Sequence, residues 1–160
     1  MLVYLAGPVF TLAERRFNEE LAVELERLCP SLQVFLPQRY DKEFQGAADF
    51  SQRMFASLMG ALDRCDVVLA VLDGPDADSG TSFEVGFARG RGKKVIGIRT
   101  DFRGGEDQGL NLMLSNACSQ LVAEASTTTS LRRLAERIAT LLAASEPIAP
   151  QRADEQSLLP

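Results

Sequence analysis

Residues 66–72, "DVVLAVL", carry an apolar side chain at every position after the first. Successive side chains of a strand point to opposite faces of a sheet, so a strand of this composition must be covered on both faces. The pattern is typical of a central strand in a parallel sheet. Similar short apolar runs predict four more strands, at residues 2–6, 32–36, 94–98 and 119–123.

Helical patterns separate the predicted strands. Thr11 can cap the first helix, with Glu14 completing a capping box. The other predicted helices cover residues 50–64, residues 80–91, a short stretch containing "NLML", and residues 130–144. Alternating strands and helices predict an α/β fold, in which an open five-stranded parallel sheet has helices on both faces. We assign residues 1–144 to one domain and residues 145–160, which contain three prolines, to a C-terminal arm.

The composition excludes several classes of function. The chain has no histidine, so catalysis by a Ser-His-Asp triad and metal binding by imidazole are both excluded. A net charge of −5 argues against a nucleic acid polymer as partner. Three dispersed cysteines suit reduced thiols and predict a cytoplasmic protein. We expect no metal, no cofactor, no signal peptide and no contact with a membrane, since no apolar run approaches the roughly 20 residues that span a bilayer.

The loops that follow the strands are where a ligand is expected. Right-handed crossovers place all of these loops on one edge of a parallel sheet, and ligands bind beyond the carboxyl ends of the strands. Three segments should meet at this edge: "AGPVF" (6–10), "DGPDADSGTSFE" (73–84) and the loop after the fourth strand. Gly104, Gly105 and Gly109 in the last of these would suit a lid.

Glu84 has two interpretations. Thr81 and Glu84 have the spacing of a capping box, in which Glu84 would only satisfy a backbone N–H. Alternatively, a carboxylate in the first helical turn feels the positive end of the helix dipole, which favours its ionised form at neutral pH. An ionised carboxylate at the ligand edge could attack a sugar carbon as a nucleophile. The spacing alone leaves both interpretations open.

Other polar residues near this edge are equally ambiguous. Asp78 could form a turn before the helix or bind a ligand hydroxyl, and it would repel a phosphate. Tyr4 could be an ordinary core residue or could orient Glu84 from the neighbouring strand. Asn111 could cap the short helix or contact a ligand. Gly80 allows the backbone to come close to a ligand.

Four segments, in this order, resemble the nucleoside 2-deoxyribosyltransferases: "VYLAGPVF", "DVVLAVLDGPDADSGTSFEVGFA", "KKVIGIRTDFR" and "LNLML". The resemblance covers about residues 2 to 115. It implies a single flavodoxin-like or Rossmann-like domain that binds 2'-deoxynucleosides and free nucleobases and needs no cofactor. In that family a glutamate attacks the anomeric carbon, expels the base and forms a covalent deoxyribosyl-enzyme, from which a second base takes the sugar.

The resemblance implies roles for individual residues. Glu84 matches the nucleophile, Tyr4 the tyrosine that orients it, and Asp78 the aspartate that holds the sugar hydroxyl. Phe10 matches an aromatic near the sugar, and Asn111 an asparagine lent to a neighbouring subunit. A lent residue implies a homo-oligomer built from dimers, of which a hexamer is one form. The remaining substrate-binding residues that we expect are Gly7, Gln38 and Gly80.

The chain also departs from the family pattern. Relatives often carry an aspartate or asparagine that holds the leaving base where this chain has Leu58, beside Ser57. The base preference and the group that protonates the base are therefore not assigned. One alternative function is hydrolysis of 2'-deoxynucleoside 5'-monophosphates with the same glutamate, although relatives with that activity tend to carry serine at the position of Asp78. A non-catalytic nucleotide-sensing module is a further alternative.

Overall fold

The computed structural model describes residues 1–101 and 110–144 of the chain. The strands are β1 (Leu2–Ala6), β2 (Gln33–Phe35), β3 (Val67–Val71), β4 (Lys94–Arg99) and β5 (Gln120–Ala123). The α-helices are α1 (Leu12–Leu28), α2 (Phe50–Arg64), α3 (Ser79–Gly90), α4 (Leu112–Ala117) and α5 (Leu131–Ala143). Two short 3-10 helices, Pro37–Arg39 and Asp41–Glu43, lie between β2 and α2.

All strand pairs are parallel, and the strand order is β2-β1-β3-β4-β5. This is the flavodoxin-like order, so the predicted fold class is confirmed. The chain runs outward from β1 to β2 and then crosses back over β1 to form β3. The order therefore reverses between β1 and β3, where open sheets of this kind bind their ligands.

The sheet separates two hydrophobic cores. Val67, Leu69 and Val71 of β3 face the core that includes α1 and α5, whereas Val68 and Ala70 face the core that includes α2 and α3. Every residue of β3 is buried, as predicted for a central strand. The helices of both faces thus cover the strand that lies beside the reversal point.

The sequence located most elements to within two residues. Strand β1 and helix α2 have their predicted bounds, and the Thr11–Glu14 capping box of α1 is present in both directions. The two 3-10 helices were not predicted. The proposed lid glycines Gly104, Gly105 and Gly109, and the arm at 145–160, lie outside the described residues. The domain boundary after residue 144 therefore stays a prediction.

No helix among the described residues is long and apolar enough to cross a bilayer. The same residues contain no group of three or more His, Cys, Asp or Glu side chains that could hold a metal ion.

Candidate active site

The carboxylate of Glu84 lies against the hydroxyl of Tyr4. Tyr4 Oη donates a hydrogen bond to Glu84 Oε1 at 2.5 Å, across 80 positions of sequence. Tyr4 is fully buried in β1, on the face of the sheet that α3 covers, and Glu84 is half-buried on α3. The contact arises because β1 and β3 are neighbours and the chain after β3 returns over β1 as α3. The structure thus brings together two of the three residues predicted to be catalytic.

The predicted capping box at Thr81 and Glu84 is wrong. Helix α3 begins at Ser79, and its cap is Asp78, whose Oδ2 accepts hydrogen bonds from Thr81 N at 2.8 Å and from Thr81 Oγ1 at 3.1 Å. Because Asp78 takes the capping position, Glu84 falls in the second helical turn and its side chain is turned to the sheet. Asp78, for which we predicted a turn before the helix as one alternative, is thus the residue that caps α3.

The charge state expected for Glu84 also needs correction. The pKa of Glu84 is raised to about 7: burial raises it most, the hydrogen bond from Tyr4 lowers it, and the negative charge of Asp78 raises it. We expected the helix dipole to keep this carboxylate ionised at neutral pH. The dipole acts within the first turn, whereas Glu84 lies beyond it. Glu84 is therefore divided between its two charge states near neutral pH.

Asp78 retains a free acceptor despite its capping role. Both hydrogen bonds of its side chain use Oδ2, and within residues 1–101 and 110–144 its Oδ1 accepts none. Gly80 packs against this group, since a Cβ at that position would lie 3.1 Å from Asp78 Oδ2. Asp78 can therefore cap α3 and still offer one oxygen to a ligand hydroxyl.

The loop after β1 passes close to the core at Gly7, where a side chain would be tightly packed. A Cβ on Gly7 would lie 3.2 Å from Val71 Cβ and 3.3 Å from Asn18 Oδ1. Asn18, only 1% exposed, donates from Nδ2 to the Pro8 carbonyl at 2.9 Å and so fixes this loop. We did not single out Asn18, although a signal existed: it is the polar member of the buried stripe that includes Leu21 and Leu25.

Two predicted ligand contacts are open to solvent. Phe10 is 79% exposed at the loop after β1, where its backbone N–H donates to Glu14 Oε2 at 3.0 Å. Asn111 is exposed and caps α4, with Oδ1 accepting from Met113 N at 2.9 Å. The cap interpretation of Asn111 is confirmed, and its role in a neighbouring subunit stays a prediction. The structure does not bring either side chain to Glu84.

Gln38 turns toward α1. Its Nε2 donates to the Arg15 carbonyl at 2.7 Å, and its Oε1 is buried without a hydrogen-bond partner in the described residues. Arg15 in turn donates to Asp41 Oδ2 at 2.8 Å. The Gln38 amide thus joins α1 to the 3-10 segment, and its predicted contact with the nucleobase stays untested.

A stack of three aromatic rings supports Tyr4. The ring centroids of Tyr4 and Phe35 lie 5.3 Å apart, and those of Phe35 and Tyr40 lie 4.5 Å apart, with nearly parallel planes in both pairs. This stack was not predicted from the sequence. The register of β1 and β2, which pairs Tyr4 with Phe35, is the signal that could have revealed it. The stack holds the Tyr4 ring while its hydroxyl faces Glu84.

Known proteins with this fold include enzymes of nucleoside chemistry. A conserved protein from Enterococcus faecalis is 25% identical, with a TM-score of 0.70, and the alignment covers 86% of this chain and 98% of that one. A 2-deoxyribosyltransferase from Bacillus psychrosaccharolyticus is 21% identical, with a TM-score of 0.62 over 76% and 85%. A CMP N-glycosidase from Clostridium botulinum is 19% identical, with a TM-score of 0.57 over 86% and 98%. At these identities the last two similarities show the fold.

The sequence itself matches a curated protein and a family. An uncharacterized protein of Schizosaccharomyces pombe is 34% identical over 110 residues, which are 63% of this chain. The match spans about half of that relative, 51% of its length. The family model described as nucleoside 2-deoxyribosyltransferase matches residues 3–114, which include both Tyr4 and Glu84. Since this match covers well over half of the chain, the protein belongs to the nucleoside 2-deoxyribosyltransferase family.

Proposed function

We propose that this protein transfers the 2-deoxyribosyl group between nucleobases, with Glu84 as the nucleophile. A Glu84 carboxylate oxygen forms a bond to the anomeric carbon while the bond from that carbon to the base nitrogen breaks. The electron pair of the broken bond leaves with the base, which takes up a proton. A nitrogen of the incoming base then attacks the same carbon, loses its proton to solvent and releases Glu84 as the carboxylate. Two displacements give net retention, and water in place of the second base gives hydrolysis.

The contact between Tyr4 and Glu84 is the observation that carries this proposal. Tyr4 holds Oε1, and Oε2 of Glu84 accepts no hydrogen bond from the residues that the structure describes. One oxygen is therefore fixed in position while the other is available to attack. Positioning of this kind is the main help that a weak carboxylate nucleophile can receive.

The pKa of Glu84 suits a carboxylate that acts first as the nucleophile and then as the leaving group at the anomeric carbon. At a pKa of about 7, a large fraction is ionised at neutral pH, yet the carboxylate is more basic than an exposed one. Asp78 Oδ1 would bind a sugar hydroxyl, and its negative charge disfavours a phosphorylated sugar. Phe10 would cover the sugar, and Gly7 and Gly80 would line its binding site.

Family membership supports the class of the reaction. Members act on nucleosides, either by glycosyl transfer or by N-glycosidic cleavage, and the fold is shared with a 2-deoxyribosyltransferase and a CMP N-glycosidase. The choice of unphosphorylated 2'-deoxynucleosides as substrates rests on Asp78, and the choice of a free base as acceptor rests on the family resemblance. We also propose a homo-oligomer in which each subunit contributes its Asn111 to the neighbouring subunit's site.

A second candidate is N-glycosidic hydrolysis of 2'-deoxynucleoside 5'-monophosphates. Ser79, exposed at the first position of α3, favours it, because a hydroxyl at a helix N-terminus can bind a phosphate. Asp78 directly beside it argues against this candidate, because its charge would repel the phosphate.

Product analysis separates the two candidates. The protein is incubated with deoxyinosine and free adenine, and separately with deoxynucleoside 5'-monophosphates. We expect deoxyadenosine and hypoxanthine in the first mixture and no turnover in the second. Glu84→Gln should abolish the reaction, whereas Glu14→Gln, which alters a carboxylate in the α1 capping box, should not. Turnover of the monophosphate alone would favour the second candidate, and ligand binding without any cleavage would favour a sensing module.

A further inference from the structure

Arg99, the last residue of β4, is a buried cation that the proposed reaction does not use. It is 4% exposed, and its Nε has no hydrogen-bond partner in the described residues. Within residues 1–101 and 110–144, its hydrogen-bond partners are backbone carbonyls and none is a carboxylate. Burying a charge without a counter-ion is costly, so an apolar side chain would serve the stability of the core better. The contacts of Arg99 therefore need a different explanation.

Arg99 binds the segment that leads from β3 to α3. Nη1 donates to the Leu72 carbonyl at 2.6 Å and to the Gly74 carbonyl at 3.3 Å. Nη2 donates to the Gly74 carbonyl as well, at 3.3 Å. A planar guanidinium fixes both carbonyls in one geometry, which a flexible ammonium does less well.

Asp73, in the segment that follows β3, accepts hydrogen bonds from the two residues that follow Arg99. Asp73 Oδ1 accepts from Thr100 N at 2.6 Å and from Asp101 N at 2.9 Å. Asp73 Oδ2 accepts from Thr100 Oγ1 at 2.5 Å, and Gly74 N donates to Asp101 Oδ2 at 3.1 Å. We call residues 72–74 and 99–101, with these bonds, the loop clamp.

Residues 72–74 of the loop clamp precede α3, the helix that carries the candidate nucleophile Glu84. Gly74 has φ +111°, a conformation that other residues rarely adopt, so the chain makes a fixed turn there. Four residues later Asp78 caps α3, and Glu84 follows in the second turn. A shift of residues 72–74 would therefore move the start of α3 relative to β1, which carries Tyr4.

We propose that Arg99 is a positioning residue for Glu84: by holding the Leu72 and Gly74 carbonyls, it sets the place of α3 and keeps Glu84 Oε1 against Tyr4 Oη. This inference rests on the proposed function only for its kinetic consequence. Its structural content, the dependence of the contact between Tyr4 and Glu84 on Arg99, holds for any reaction at this site.

The kinetic test compares Arg99→Met, which has a similar length and no donors, with Arg99→Lys, which keeps a donor and the charge. A displacement of about 1 Å can cost about 10²-fold in rate, so we expect kcat to fall by about this factor in Arg99→Met while KM changes little. Arg99→Lys should recover part of the loss. Ile138→Val, on the buried side of α5, is the control for lost stability and should keep the wild-type kcat. An unchanged kcat per folded Arg99→Met molecule would overturn the proposal.

A second test does not depend on activity. The chain has two tyrosines, so labelling tyrosine with ¹³C at Cζ gives two NMR signals, which Tyr40→Phe assigns. We expect the Tyr4 signal of Arg99→Met to shift toward that of Glu84→Gln, and the signal of Ile138→Val to match wild type. If Arg99→Met fails to fold, Asp73→Asn breaks the clamp from its other side and should give the same shift. An unmoved Tyr4 signal in the folded variant would overturn the proposal. A moved signal in a protein without glycosidic activity would support the positioning role and reject the proposed function.

Discussion

At the scale of single residues, opposing effects on the pKa of Glu84 set the charge of the site. Removal from water disfavours the charged form, and this effect outweighs the hydrogen bond from Tyr4, so the pKa of Glu84 rises to about 7. Burial and the neighbouring Glu84 charge also raise the pKa of Tyr4, which therefore stays a hydrogen-bond donor throughout the neutral range. Tyr4 thus keeps its proton and remains the donor to Glu84, whose own charge changes near neutral pH.

The raised pKa of Glu84 predicts that this residue destabilises the fold at high pH. Its contribution to stability is complete below pH 4.5, its ordinary pKa, and is lost as the pH rises through about 7. The side chain introduced by Glu84→Gln does not titrate. Since one pKa unit corresponds to 1.36 kcal/mol, the free energy of unfolding of Glu84→Gln relative to wild type should be up to about 3 kcal/mol higher at pH 8 than at pH 4. Urea unfolding at both values measures this difference. An equal effect of the substitution at both pH values would contradict it.

Tyr4→Phe should make Glu84 harder to ionise. The hydrogen bond from Tyr4 lowers the pKa of Glu84, so its loss raises that pKa above about 7. We expect the acidic limb of the kcat/KM profile to move to higher pH, with a rate about 10- to 100-fold lower, because the carboxylate also loses its orientation. Tyr40→Phe removes the hydroxyl of the other tyrosine at the far end of the ring stack and is the matched control. Identical profiles for the two variants would be inconsistent with a role of Tyr4 in the site.

At the scale of elements, the sequence predicted the strands more reliably than the residue that caps α3. Strand β3 was predictable because burial on both faces leaves a continuous apolar run, which local composition shows. Asp78 and Thr81 are both good capping residues, and the choice between them depends on how α3 packs on β1. The loop clamp was beyond prediction for the same reason, since Arg99 reaches the Leu72 carbonyl, and Asp73 reaches Thr100, only once β3 and β4 are paired.

The two roles of Asp78 can be separated by substitution. Asp78→Ala removes the cap of α3 and should cost about 1 kcal/mol of stability, whereas Asp78→Asn keeps a capping oxygen and should cost little. Both should lower activity on deoxynucleosides if Oδ1 binds the sugar hydroxyl. Ser130→Ala removes the cap of α5, where Ser130 Oγ accepts from Arg133 N, and controls for lost stability with unchanged activity. Full activity in Asp78→Asn would argue against a contact between Asp78 and the sugar.

At the scale of the whole molecule, apolar side chains on the surface favour the proposed homo-oligomer. Phe55 of α2 and Phe83 of α3 are more than half exposed, with ring centroids 6.4 Å apart. Other large exposed apolar residues are Phe10, Leu12, Phe50, Leu112 and Met113. Exposed apolar side chains that lie together are typical of surfaces that bind another protein, and a second copy of the chain would bring Asn111 with it.

A shared site predicts that two inactive variants restore each other. If Glu84 and Asn111 of one site come from different subunits, mixing Glu84→Gln with Asn111→Ala produces some sites with both native residues. Random assortment in a dimer should return about a quarter of the wild-type activity. The measurement is the initial rate after the subunits are exchanged, with each variant alone as control. If the mixture contains hybrid oligomers but no activity returns, then either both residues of a site come from one subunit or Asn111 is not part of the site.

The central claim is that a Glu84 oxygen bonds to the anomeric carbon of the sugar. The most direct measurement is mass spectrometry of the protein quenched in acid during turnover of a 2'-deoxynucleoside without acceptor base. We expect a mass increase of one deoxyribosyl group on the peptide that contains Glu84, and none in Glu84→Gln. A deoxyribosyl group on another residue, or base release by Glu84→Gln at the wild-type rate, would contradict the account.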